Sequence, residues 1–239
     1  MIKAMIAGFQ VVFNNKSRRL GNHCTDYLSN SEKVDVEITV TSSEIITERL
    51  AAAGVYRDGY LEVICAYRKL AEWLPLQGAI LLHSAVFDID GTGVAFAARS
   101  GTGKTTQMLL WKKMLGDQLT IVNGDKPIVR FFDDTPYAYG TPWCGKEGLG
   151  ENTRTHLKHI CFIERNEKNF IERLDKPDVI NYIFNQVYMP KESIAAANAM
   201  QLIDKLLSSC QLWKIHCNME PQAAEIAYRT IFDKEIIDV

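Results

Sequence analysis

Residues 34–40, "VDVEITV", switch between apolar and polar at every step, which is the period of a half-buried strand. Upstream, the short apolar run "MIKAMIAGFQVVFNN" reads as a first strand. The period then changes. Thr41 and Glu44 stand at capping-box spacing, predicting a helix "SEIITERLAAAG" that stops at Gly54. Over residues 59–74, Tyr60, Val63, Ile64, Tyr67, Leu70 and Leu74 form one helical stripe, and Pro75 ends it.

From residue 79 the texture is that of strands. The runs "AILLHSAVF" and "GVAFAA" flank "DIDGTG", a β-hairpin signal feeding into a glycine-rich segment. A helix over about 104–115 follows, then the buried-type strand "LTIVN". "KPIVRFF-DDT-PYAYG" predicts a second hairpin and "LKHICFIER" (157–165) a further strand. Helices over about 177–185, 191–208 and 220–232, with the strand "LWKIHC" before the last, complete the chain. The fold class is α/β with a mixed sheet rich in hairpins. Residues 1–75 form an N-terminal strand-helix region, packed on a core of residues 76–239.

Composition narrows the function. A net charge of −2 gives no basic surface for nucleic acid or an anionic membrane. The N-terminal apolar run is too short to span a bilayer and lacks a cleavage site, so a cytoplasmic protein is expected. Six cysteines without C-x-x-C spacing fit a reducing compartment. In "HLKHIC", strand alternation puts His159 and Cys161 on one face and His156 off it, which does not make a zinc site.

The candidate chemistry begins at "ARSGTGKTT", residues 98–106. It follows the phosphate-loop pattern G-x-x-x-x-G-K-[ST], with Ala98 in the first glycine position. An alanine is tolerated there if its backbone keeps φ below zero. Ser100, Gly101, Thr102, Gly103, Lys104, Thr105 and Thr106 are the nucleotide-binding candidates. Backbone N–H groups cradle phosphate oxygens, Lys104 meets the β/γ phosphates and the Thr105 hydroxyl holds Mg²⁺. A second metal ligand is expected at the end of the next strand, where "LTIVNGD" offers Asp125. The aperiodic stretch 140–154, "GTPWCGKEGLGENTR", predicts a substrate or phosphate lid carrying Trp143, Lys146, Glu147 and Arg154.

"LHSAVFDIDGTGVAFAARSGTGKTT" resembles the core of the HPr kinase/phosphorylase and ATP-type phosphoenolpyruvate carboxykinase superfamily. "SGTGKTT" is similar to the carboxykinase loop, and "H-S-A" at His83 to the carboxykinase's metal-binding "H-C-S-A". "YGTPWCGKEGLGEN" and "LKHICFIERNEKNFIERL" resemble a group of small uncharacterised HPr-kinase-like proteins. The resemblance implies a P-loop kinase fold in which Asp125, His83 and Lys104 are catalytic and ATP with Mg²⁺ (or Mn²⁺) is bound. It also implies departures. HPr kinases carry paired aspartates after the loop helix, whereas Asp125 here stands alone between Gly124 and Lys126. The HPr-contacting segment and the carboxykinase arginine set have no counterpart.

The expected activity is transfer of phosphate from ATP to a serine-type hydroxyl of a peptide, protein or small molecule. The alternative is a catalytically weak ATP-binding sensor or assembly protein of the same fold. Both leave room for a homo-oligomer.

Overall fold

The computed structural model describes residues 1–233. Its elements run β1 (Ile2–Ile6), β2 (Phe9–Asn14), α1 (Arg18–His23), β3 (Val36–Thr39), α2 (Ser42–Ala51), α3 (Asp58–Trp73), β4 (Ala79–Leu81), β5 (Ser84–Ile89) and β6 (Thr92–Ala97). Then follow α4 (Lys104–Leu115), β7 (Leu119–Asn123), β8 (Ile128–Phe132), β9 (Thr135–Tyr139), β10 (Arg154–Arg165), β11 (Phe170–Leu174), α5 (Lys176–Phe184), α6 (Ser193–Ser209), β12 (Gln211–Cys217) and α7 (Pro221–Phe232).

The fold class is the expected mixed α/β. One sheet is three-stranded, β1-β2-β3, and the other runs β4-β8-β9-β10-β6-β5-β7, with β12 paired to β10 and β11 to β12. The β5–β6 hairpin turns through Asp90 and Gly91, both at positive φ, as a type I′ turn requires. The β6, β10 and β12 strands run parallel, and β5 runs against β6 and β7. Side-chain alternation sorts the large sheet into two cores. Val86, Ala95, Ile160 and Phe162 pack with α5 and α6 on one face; Phe87, Phe96, Cys161 and Ile163 pack with α4 and α7 on the other. Trp111 and Trp213, expected in the core, are there.

Local signals hold where they depend on neighbours. The Thr41–Glu44 capping box forms in both directions, and α3 stops before Pro75. Three expectations need correction. The N-terminal run is a hairpin of two strands, because Ala7 and Gly8 both take positive φ and reverse the chain. The α2 helix ends at Ala51, short of Gly54. "AILLHSAVF" is two strands, since β4 pairs with β8 while β5 pairs with β6 and β7. The α1 and β11 elements have no periodic signal in the sequence.

The two regions share one core. Residues of β1, β2, α1 and α3 pack against Ala79, Leu81, Ile128 and Trp143. Arg130 of β8 reaches across, donating to Ala7 O at 2.9 Å and covering the Phe9 ring. Glu62, 1% exposed on α3, accepts from the backbone N–H groups of Lys16 (2.5 Å) and Ser17 (2.9 Å) where α1 begins. Among the described residues no helix is long and apolar enough to cross a membrane.

Candidate functional site

Strand directions gather the chemistry at one end of the sheet. The carboxyl ends of β6, β7, β10 and β12 share that end with the start of β5, because β5 runs antiparallel to its neighbours. A cleft of about 1760 Å³ opens there. Carboxyl-end crevices are where open α/β sheets bind ligands.

The glycine-rich segment links β6 to α4. Gly101 (φ 79°) and Gly103 (φ 125°) take conformations open to glycine, while Ala98 is not among the residues with positive φ. That answers how an alanine stands in the first glycine position. Gly103 offers no capping side chain, and the first turn of α4 holds no acidic residue. Unpaired N–H groups and the positive helix end therefore face the cleft. Arg165, at the end of β10, lines the cleft and braces the loop. Its Nε donates to Thr102 O at 3.0 Å and its guanidinium also bonds Gly101 O.

Lys104 is 8% exposed. Its Nζ donates to Ala98 O at 2.7 Å and lies 3.3 Å from His83 Nε2. Among the described residues it forms no ion pair, and burial lowers its pKa against the opposing pull of Asp125. An ammonium held out of water by neutral acceptors is a cation lacking its anion.

Asp125 leaves β7 in the tight turn 123–126. Fully buried Asn123 builds that turn: its Oδ1 accepts from the N–H groups of Asp125 (2.9 Å) and Lys126 (2.7 Å), and its Nδ2 donates to Thr141 O (3.1 Å). The carboxylate meets His83 Nε2 at 3.2 Å and Lys126 Nζ at 3.0 Å. Burial pushes the Asp125 carboxyl up, but the His83 hydrogen bond and the Lys126 ammonium outweigh it, so its pKa lies below the ordinary value. A Cβ at Gly124 would sit 3.0 Å from both Cys144 O and Leu149 O, which leaves little room for a second carboxylate there.

The 140–154 stretch is anchored on both sides of residues 145–148. Gly124 N–H donates to Leu149 O (2.8 Å) and Lys126 N–H to Trp143 O (3.2 Å). Trp143 is buried, its ring 5.8 Å from that of Tyr67, and it is both core and cleft wall. Only residues 145–148, with Lys146 and Glu147, are exposed over the cleft. Cys144 beside them is no nucleophile, because burial pushes its thiol up to about 11.

Ser100 through Thr106, His83, Asp125, Trp143, Lys146 and Glu147 all line the cleft. Arg154 does not. It heads β10 and bonds Tyr139 OH at 2.9 Å, while the cleft lies at the other end of that 12-residue strand, roughly 35 Å along extended chain. Sequence reading also missed contributors. Arg165 and Gln186 carry no motif signal; once its nitrogen is turned toward them, the Gln186 carboxamide donates to His83 O and Ala98 O at 3.0 Å each. Of the α3 stripe, Tyr60, Val63, Ile64 and Tyr67 form an apolar wall of the cleft.

Among the described residues no group of three or more His, Cys, Asp or Glu side chains is arranged to hold a metal. His159 accepts from Trp213 Nε1 at 3.2 Å, and Cys161 is fully buried. The hydroxyl of Thr105 and the carboxylate of Asp125 are hard oxygen donors on one cleft, a set suited to Mg²⁺ that keeps water and phosphate ligands.

No protein-family profile and no curated protein sequence matches the chain. Among solved structures, the HPr(Ser) kinase/phosphatase from Coxiella burnetii superposes with a TM-score of 0.35 at 8% identity, covering 64% of this chain and 97% of that one. A superposition that shallow carries no inference about activity.

Proposed function

We propose that the protein is an ATP- and Mg²⁺-dependent phosphotransferase with an alcohol acceptor. The observation that carries this reading is Lys104: a buried ammonium, bonded only to neutral groups, behind a loop whose glycines and helix start are open to an anion. Phosphoryl transfer is mostly positioning and charge neutralisation, and these groups supply both.

The residues divide the work as follows. Loop N–H groups and Lys104 hold the phosphates. Thr105 and Asp125 would hold Mg²⁺, which neutralises charge on the β- and γ-oxygens. Asp125, kept ionised by His83 and Lys126, also stands ready to take the acceptor hydroxyl proton. His83 orients that carboxylate, and Lys146 and Glu147 overhang the entrance.

A second reading, a slow or inactive nucleotide sensor, draws on one observation: both Asp125 oxygens are already engaged and a second acid at position 124 would be crowded by Cys144 O and Leu149 O. Incubation with labelled ATP, Mg²⁺ and a panel of hydroxyl acceptors separates the two. Label transfer supports the kinase, and tight ATP binding without transfer supports the sensor. No nucleotide binding at all would sink both.

A further inference from the structure

A second cavity of about 300 Å³ adjoins the cleft, and Tyr67, His83 and Lys126 line both. The connection between α5 and α6 closes its far side with Gln186, Tyr188 and Lys191, and α3 adds Arg68. Three cationic side chains therefore meet on a volume at the small end of ligand pockets.

The opposing acids are few and mostly committed. Glu48 pairs with the Arg68 guanidinium, and Asp125 lies 3.0 Å from Lys126 Nζ. Glu72 accepts from the Tyr188 hydroxyl and from the Lys191 backbone N–H, each at 2.9 Å. The Lys191 ammonium has no hydrogen-bond or ion-pair partner among the described residues. In number these carboxylates match the cations, but none of them lines the cavity, so its wall presents cationic and no anionic side chains and suits an anionic ligand group.

We propose that this cavity is the acceptor subsite and takes the carboxylate of a hydroxy acid whose hydroxyl faces Asp125. The proposal rests on the phosphotransferase reading above. The Asp125–Lys126 separation of 3.0 Å sets the scale. With one hydrogen bond of about 2.8 Å at each end, hydroxyl and carboxylate oxygens lie at most about 9 Å apart. In the reaction the acceptor oxygen bonds to the γ-phosphorus of ATP as the bond to the β-bridging oxygen breaks. ADP leaves, the hydroxyl proton passes to Asp125 and then to solvent, and a phosphomonoester remains. Gln186 joins the two compartments, since its backbone oxygen accepts from His83 N–H at 2.6 Å and its carboxamide bonds Ala98 O at the root of the phosphate loop.

The test measures acceptor binding by calorimetry with MgADP present, and phosphoester formation from MgATP by ³¹P NMR. The probes are glycerate against glycerol, L-serine, and a short peptide ending in serine as free acid and as amide. The pairs separate a free hydroxy acid from a chain terminus as the source of the carboxylate. Each carboxylate form that binds should do so at least tenfold more tightly than its neutral partner. Lys191→Gln, at an exposed position, should remove about that factor without changing MgADP affinity. Equal binding of charged and neutral probes, or an unchanged Lys191→Gln protein, overturns the subsite while MgADP binding still supports the kinase. Failure to bind MgADP overturns both.

Discussion

The Nε2 atom of His83 lies 3.2 Å from Oδ1 of Asp125. The same nitrogen is 3.3 Å from Lys104 Nζ, so it faces a carboxylate and an ammonium at once. A neutral imidazole nitrogen either donates or accepts, hence His83 can bond only one of the two at a time. On the phosphotransferase proposal it would steer Asp125 rather than anchor the phosphates. Asp125→Asn should leave metal-free nucleotide binding intact and lower metal-dependent turnover by about 10²–10⁴-fold. His83→Ala should cost less. Steady-state kinetics with both variants checks the order, and a reversed ranking would show that the chemistry is assigned to the wrong side chain.

Lys104→Ala should weaken MgATP binding by about 100-fold, because a charge-assisted contact to phosphate is lost. The wild type carries a pH signature of the same group. Burial lowers the Lys104 pKa in the free protein, and a bound anion favours the charged form. Binding at alkaline pH should therefore take up protons, and affinity should fall as pH rises, starting below the ordinary lysine range. Calorimetry in buffers of different ionisation enthalpy reads the uptake; Lys104→Ala should abolish it.

Arg165 touches loop carbonyls, not a nucleotide-facing amide. Its guanidinium holds the Gly101 and Thr102 carbonyls and so fixes the course of the loop over the cleft. Arg165→Gln should weaken nucleotide binding about tenfold with little change in Tm, since Arg165 is exposed. An unchanged Kd would make the brace irrelevant to loop order.

His159 should contribute to the acid limb of stability between pH 6.5 and 4. Burial lowers its pKa from 6.5 to about 4, while the unfolded chain keeps the ordinary value. Between those values the unfolded state binds more protons, so the His159 contribution falls as pH drops from 6.5 toward 4 and levels off below. The full effect is on the order of 3 kcal/mol. His159→Gln preserves an acceptor for Trp213 Nε1 without the titration and should flatten that limb in urea melts. An acid limb identical to wild type would place the effect elsewhere.

Features legible in the sequence are those governed by neighbours within a few residues. The period of 34–40, the Thr41–Glu44 cap, the stop at Pro75, the Asp90–Gly91 turn and the loop ending in Lys104 all depend on local sterics and local hydrogen bonds. Pairing across the sheet has no such local trace. Nothing in "AILLHSAVF" says that the chain changes partners at His83, because β8 and β6 compete for it from different distances along the chain. Arg154 and Arg165 look alike in sequence, yet they stand at opposite ends of β10, and only one reaches the cleft. Gln186 meets Ala98 and His83 only after α5 packs beneath the sheet. The sequence by itself set the glycine-rich loop ending in Lys104 and its candidate acid. Their meeting with His83, Arg165 and the second cavity was decided by tertiary packing, which alone brings residues far apart in the chain within hydrogen-bond reach.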